Sequence, residues 1–149
     1  MVHRLRRTRS SQAGFTLIEI LVASTILLIL ISVSGFLVSS YIGRARVIGA
    51  RNQINAFSLA LSGYFIDTGG YPSTEQGLAG LWRRPTVDPV PQQWVGPYVE
   101  KEVPTDPWGN PYQYRAPGPN NLPFEIQSRG ADGVDGGTGA DADIVSWRD

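Results

Sequence analysis

The chain has 149 residues, which suits one ordinary domain with an appendage, and its apolar content of 42% excludes a disordered chain. It has no cysteine, so disulfides, thiolate metal sites and cysteine nucleophiles are excluded. The formal net charge is zero, but four arginines lie within the first ten residues and the last twenty residues are acidic. This separation indicates a cytoplasmic anchor and a cation site, and not a nucleic-acid-binding protein.

A long apolar run occupies residues 15–38 and contains one charged residue, Glu19. About 20 apolar residues are enough to cross the hydrocarbon core of a membrane. We therefore predict a basic leader at residues 1–14, followed by the transmembrane half of a long helix. The run is too long for an ordinary or twin-arginine signal peptide, and the small residues Ala13 and Gly14 precede it instead of following it. A plain signal anchor would leave Glu19 unexplained, since a carboxylate in a membrane segment is unfavourable.

The motif GFTLIE at residues 14–19 resembles the processing site of type IV pilins and their relatives. This resemblance implies that a prepilin peptidase cleaves between Gly14 and Phe15 and methylates the new terminal amine of Phe15. It also implies that Glu19 faces the terminal ammonium of a neighbouring subunit during filament assembly. The pairing is physically reasonable, because an ammonium and a carboxylate that are both poorly solvated in lipid gain by meeting.

Residues 39–66 predict the amphipathic half of the same helix. Apolar residues recur there at spacings of three and four, in the order Val47, Ala50, Ile54, Phe57, Leu61 and Tyr64. Proline is absent between residues 15 and 67, and two glycines at 69 and 70 supply a stop signal. We expect one helix from Phe15 to about Ile66, with this stripe forming one wall of the core of a globular head at residues 67–149.

The head sequence predicts a small antiparallel sheet of about three strands packed on the helix, which makes the fold class α+β. The runs 112–114 and 124–126 alternate as strands do, and a Pro-Gly-Pro-Asn-Asn turn separates them. Ser73 and Gln76 have the spacing of a capping box before a short helical stretch. The segment 83–93 holds three prolines and is predicted to be a loop.

The sequence DPWGNPY at residues 106–112 is dense in turn formers and aromatic residues. We interpret it as a rigid turn pinned by Trp108 and Tyr112, in preference to a ligand site. The stretch is also similar to one in major pseudopilins of type II secretion, as are the residues at 71–78 and 96–98. The resemblance extends through nearly the whole chain and implies a type IV pilin-like fold.

An acidic, glycine-rich loop follows at residues 130–144. Calcium prefers carboxylate and carbonyl oxygens, but composition alone is equally compatible with a flexible, solvated loop. The spacing matches neither an EF-hand nor a repeated calcium nonapeptide. The loop is similar to the carboxyl-terminal loop of major pseudopilins, which implies one structural calcium ion. The implied ligands are Asp132, Asp143 and the backbone carbonyls of Arg129 and Val134, with Asp141 as a secondary candidate and Asp135 as a weaker one.

The resemblance implies a structural subunit of the periplasmic pseudopilus of a type II secretion system, and not an enzyme. Implied partners are further copies of the chain, minor pseudopilins, the prepilin peptidase and the inner-membrane assembly platform. The implied location is a single pass of the bacterial inner membrane, with a cytoplasmic amino terminus and a periplasmic head. The alternative is a type IV pilin of an adhesion or motility pilus, although such pilins usually close their carboxyl-terminal region with a disulfide. A tethered hydrolase is disfavoured, because Glu75, Glu100 and Glu102 are scattered without a partner signature.

Overall fold

The computed structural model describes residues 14–148, and for residues 33–40 it describes the backbone alone. The chain divides into two compact units, Met1–Ser40 and Tyr41–Asp149. The helix α1, Leu17–Thr68, belongs to both units, and the strands β1 (Gln113–Arg115), β2 (Glu125–Ser128) and β3 (Ile144–Val145) lie in the second. Short 3₁₀ helices occur at Leu78–Leu81, Pro119–Asn121 and Gly139–Asp141. The predicted α+β class is confirmed.

The described part of the first unit begins at Gly14 and is helical from Leu17. Thr16 caps this helix, because its Oγ1 atom accepts a hydrogen bond of 3.3 Å from the backbone N–H of Glu19. The predicted leader, apart from Gly14, lies outside the described residues. No helix among the described residues combines the length and the apolar content needed to cross a membrane.

The far end of α1 lies in the second unit and stops where the glycines predict. Gly69 has a positive φ of 76°. Its N–H donates to the carbonyl of Phe65 at 2.8 Å, which satisfies one of the last free carbonyls of the helix. The expected end near Ile66 is therefore correct to within two residues, since the helix ends at Thr68.

The core of the head is built on the predicted stripe of α1. All members of the stripe except Val47 are buried, namely Ala50, Ile54, Phe57, Leu61 and Tyr64, and Val47 packs against them. Leu78, Leu81, Ile126 and Ile144 complete the buried cluster from the rest of the head. Each large apolar side chain buried in this way contributes about 1.5–3 kcal/mol to folding. The stripe is therefore the head-domain wall that its spacing predicts.

The three strands form an antiparallel sheet in the order β1-β2-β3. Tyr114 pairs with Ile126, and Ser128 pairs with Ile144. The two strands located by sequence begin one residue later than predicted. The third strand, β3, has two residues and carries too short a pattern to be recognised beside the acidic loop. Its position means that the acidic loop is the connection between β2 and β3.

The capping box before Leu78 is confirmed. The N–H of Ser73 donates to Oε1 of Gln76 at 3.0 Å, and the N–H of Gln76 donates back to Oγ of Ser73 at 3.2 Å. Gln76 has a second role that the spacing does not predict. Its Nε2 atom donates to the carbonyls of Val87 at 2.7 Å and Pro89 at 2.9 Å. One buried amide therefore fixes both the turn and the proline-rich loop.

The residues after β3 are fastened to the sheet and to α1. The carbonyl of Arg148 accepts a hydrogen bond of 2.8 Å from Nη1 of Arg51. Trp147 donates from its indole Nε1 to Glu125 of β2 at 2.5 Å, and Glu125 also pairs with Arg115 of β1 at 2.9 Å. These contacts hold the end of the described chain against the helix and the central strand β2.

Candidate functional site

The predicted processing residues lie at the start of the described part of the first unit. A Cβ atom added to Gly14 would meet no described atom within 4 Å, so the fold of the described residues does not require glycine there. Phe15 is 78% exposed. Glu19 lies in the first turn of α1, where the helix dipole favours a negative charge. The sequence analysis missed Thr16, whose Thr-x-x-Glu spacing to Glu19 is the signal for a helix cap.

The acidic loop folds back on itself at a narrow neck, which we define as residues 130–131 and 140–141. Ala131 donates its N–H to the carbonyl of Ala140 at 3.0 Å. Gly130 has a φ of +62°, and a Cβ atom there would lie 2.8 Å from the carbonyl carbon of Asp141. Gly137 is restricted in the same way, since its Cβ atom would lie 2.5 Å from the carbonyl oxygen of Asp141. Glycine is therefore a steric requirement at position 130 in the neck and at position 137, which packs against the neck.

The two principal calcium candidates lie on opposite arms of this loop. Asp132 Oδ1 accepts a hydrogen bond of 3.0 Å from the N–H of Val134, and Asp143 Oδ2 accepts one of 2.8 Å from the N–H of Gly136. The other oxygen of Asp143, Oδ1, is buried and has no hydrogen-bond partner in the described part of the chain. A buried carboxylate oxygen without a partner is unfavourable and fits the donor set that calcium takes.

The remaining acidic residues of the loop are placed differently. Asp141 is exposed and contributes its backbone to the neck. Asp135 pairs with Nε of Arg129 at 2.8 Å and accepts a hydrogen bond of 3.2 Å from Gln127. Among residues 14–148, no three carboxylate or imidazole side chains are grouped as a metal site. The structure therefore separates Asp135, which is paired with protein groups, from Asp143, whose Oδ1 has no hydrogen-bond partner among residues 14–148.

The turn at residues 106–112 is pinned as predicted, and it carries an additional polar contact. The ring of Tyr112 packs edge-on against Phe57 with the centroids 5.4 Å apart. Burial, together with the nearby charge of Asp106, raises the pKa of Tyr112 to about 12. Asp106 is only 4% exposed and accepts hydrogen bonds from two backbone N–H groups of the turn and from the hydroxyl of Ser128. Sequence reasoning missed this buried carboxylate, although Asp before Pro at a turn is a signal for it.

Comparison with known proteins defines the class first. The prokaryotic N-terminal methylation motif matches residues 9–35. The chain has a solved counterpart in the crystal structure of the major pseudopilin from the type 2 secretion system of enterohaemorrhagic Escherichia coli. That chain has a TM-score of 0.61 and 35% identity to this one, and the match covers 70% of this chain and 88% of the other. Together these matches define a protein with a pilin-like fold and an N-terminal methylation motif.

The chain belongs to the family of protein G of the type II secretion system, whose model matches residues 37–147. The type II secretion system core protein G of Pseudomonas aeruginosa is 48% identical over 93% of this chain and 97% of its own length. The protein of the same description from Vibrio cholerae is 42% identical over 91% of this chain and 92% of its own length. These relatives support the secretion pseudopilin and not the alternative of an adhesion or motility pilin.

Proposed function

We propose that this chain is the major structural subunit of the periplasmic pseudopilus of a type II secretion system. The filament would drive the export of folded proteins across the outer membrane. The observation that supports this most directly is the continuity of two matches, a methylation motif at 9–35 and the protein G family at 37–147. The two regions together span nearly all of the chain, so the processing signal and the head belong to one kind of subunit.

The proposal extends to partners and location. The chain is anchored in the bacterial inner membrane by residues 15–38, with its amino terminus in the cytoplasm and its head in the periplasm. It is a substrate of the prepilin peptidase, polymerises with further copies of itself, and meets minor pseudopilins and the inner-membrane assembly platform. Its role is structural and not catalytic. The basic leader and the methylation motif support this arrangement.

Replacement of Glu19 by leucine tests the assembly role. We expect processing at Gly14 to continue and the assembled fraction to fall about tenfold or more, because an unpaired ammonium in lipid is unfavourable by a few kcal/mol. Leucine retains helix propensity, and the Thr16 cap uses the backbone of Glu19, so α1 should still form. The measurement is the yield of sheared filaments, with Glu102→Leu in the exposed part of the head as the matched control. Normal filament yield in Glu19→Leu would refute the role.

We also propose that the acidic loop binds one calcium ion. Asp132 and Asp143 would supply carboxylate oxygens and Arg129 and Val134 would supply carbonyls, with Asp141 as a further candidate. The partnerless buried Oδ1 of Asp143 supports this choice, because cation binding would satisfy it. A bound calcium ion would cross-link the two arms of the loop and stabilise the folded head by mass action.

Thermal melting of the chain in detergent, with calcium, magnesium or chelator, tests the metal proposal. At a calcium concentration 100-fold above the dissociation constant, binding contributes about 2.7 kcal/mol, which should raise the melting temperature by about 10 °C. The rise should disappear in Asp132→Ala and Asp143→Ala. It should persist in Asp135→Ala, because that carboxylate is already paired with Arg129. Equal melting temperatures in calcium and in chelator would refute the calcium proposal and indicate that the segment is an ordinary solvated loop.

A further inference from the structure

Asn110 reaches from the turn at residues 106–110 into the neck of the acidic loop. Its Nδ2 atom donates a hydrogen bond of 3.1 Å to the carbonyl of Gly130, twenty residues further along the chain. Its side chain also lies against Gly133, where an added Cβ atom would be 3.2 Å from Oδ1 of Asn110. One carboxamide therefore contacts the loop on both sides of Asp132.

The backbone of Asn110 is fixed by two hydrogen bonds to Asp106. Its N–H donates to Oδ1 of Asp106 at 2.8 Å, and its carbonyl accepts from the N–H of Asp106 at 2.8 Å. The second oxygen of Asp106 accepts a hydrogen bond of 2.6 Å from the hydroxyl of Ser128, which is fully buried in β2. The turn is therefore a platform attached to the sheet, and Asn110 is fixed relative to the strand from which the loop departs.

The neck passes this constraint to the other arm of the loop. Gly130 is followed by Ala131, whose N–H donates to Ala140, and Gly130 itself packs closely on the carbonyl of Asp141. Two residues beyond Asp141 lies Asp143, the carboxylate with the free buried oxygen. The hydrogen bond from Asn110 to the carbonyl of Gly130 therefore restricts the backbone conformation of both arms that carry the proposed ligands.

We infer that Asn110 is a positioning residue for the cation site of the acidic loop, which it orders before an ion arrives. The inference rests on the proposed calcium site. Its physical basis is preorganisation, because a loop whose neck is already fixed loses less conformational freedom on binding. Asn110 is not one of the proposed calcium ligands. It acts through the carbonyl of Gly130, in the way that outer hydrogen-bond partners orient the ligands of a metal.

Calcium titration calorimetry on the full chain in detergent tests the inference. Asn110→Ala and Asn110→Leu both lack the amide donor, and leucine keeps a side chain of similar size against Gly133. Each is expected to bind calcium about 10-fold or more weakly than the unchanged chain, the usual loss when an outer partner of a ligand is removed. The matched control is Gln113→Ala, which removes an exposed amide that bonds only to the carbonyl of Pro111 among the described residues.

Melting in chelator separates positioning from general stability. If Asn110 had only a structural role, its replacement would lower the melting temperature in chelator and leave the calcium affinity unchanged. That result in either folded variant would overturn the inference. The proposal of a calcium site would not be affected. Absence of calcium binding by the unchanged chain would overturn both proposals. Should Asn110→Ala fail to fold, Asn110→Leu decides, because it removes the donor with the least change in packing. Reduced affinity with a melting temperature in chelator close to that of Gln113→Ala is the expected result.

Discussion

Gly14→Val is expected to leave the chain uncleaved and to abolish filament formation. A branched side chain does not fit a protease pocket shaped for glycine, and an uncleaved leader keeps the terminal ammonium away from Phe15. The structure strengthens this expectation, since a Cβ atom at Gly14 would meet no described atom within 4 Å. The described residues therefore place no steric demand for glycine at this position, and we expect the demand to come from the enzyme that processes the chain.

Intact mass of the membrane-extracted chain measures the processing. The matched control is Gly43→Val, because Gly43 also has open space for a Cβ atom but lies well inside α1. That variant should be cleaved normally and should lose only the small helix propensity of a β-branched residue. Recovery of mature chain beginning at Phe15 from Gly14→Val cells would contradict the assignment of the cleavage site.

Asp106→Ala is expected to lower the free energy of unfolding of the head by about 3 kcal/mol or more. The substitution strands three hydrogen-bond donors, the N–H groups of Trp108 and Asn110 and the buried hydroxyl of Ser128. Each unsatisfied buried polar group costs about 1–3 kcal/mol. Since a domain has about 5–15 kcal/mol of total stability, this single change removes a large share of it.

Urea unfolding followed by tryptophan fluorescence measures this effect, because Trp108 lies within the affected turn. Asp67→Ala is the matched control, since the Asp67 carboxylate accepts one half-buried hydrogen bond of 2.9 Å, from the hydroxyl of Tyr98. Its expected loss is about 1 kcal/mol. Asp106→Asn should fall between the two, because it keeps one acceptor oxygen. Equal unfolding free energies for Asp106→Ala and Asp67→Ala would show that the buried carboxylate has no special structural role.

The parts of the fold that sequence predicted well are those set by local periodicity and local chemistry. The stripe from Val47 to Tyr64 repeats at helical spacing, so its buried face follows from the positions of apolar residues alone. The Ser73–Gln76 box needs only three residues of separation to be recognised. Both predictions are confirmed because each rests on a pattern of residues that lies within one continuous, short segment of sequence.

The features that escaped prediction depend on residues that are distant in sequence. Asp106 looks like an ordinary turn residue until Ser128, which follows 22 residues later, is seen to bond to it. Asn110 meets Gly130 through a separation of 20 residues. The strand β3 is only two residues long and exists because β2 lies beside it. In each case the partner is set by the tertiary fold, and no local pattern encodes it.

The candidate site was predicted by family likeness more than by its own chemistry. From composition alone the acidic loop is equally compatible with a solvated segment, and the calcium site stays a prediction that the buried oxygen of Asp143 supports. Asp135 and Asp143 have different environments. Asp135 is paired with Arg129, whereas Oδ1 of Asp143 has no hydrogen-bond partner among the described residues. This difference results from the way in which the loop folds back on its neck. Spacing alone cannot distinguish these two carboxylates, since both lie in the same acidic, glycine-rich stretch.

The hydrogen bond between Arg51 and the carbonyl of Arg148 has a consequence for the order in which the head folds. These two residues are 97 positions apart, and Ile144 must also return to cover the stripe on α1. Contacts between residues so far apart in sequence can form only after nearly the whole head has been made. The helix leaves the ribosome first, and the cover of its apolar stripe is incomplete until residues 144–148 have been made. During that interval the tethered subunit is open to chaperones and proteases and is not yet ready to polymerise.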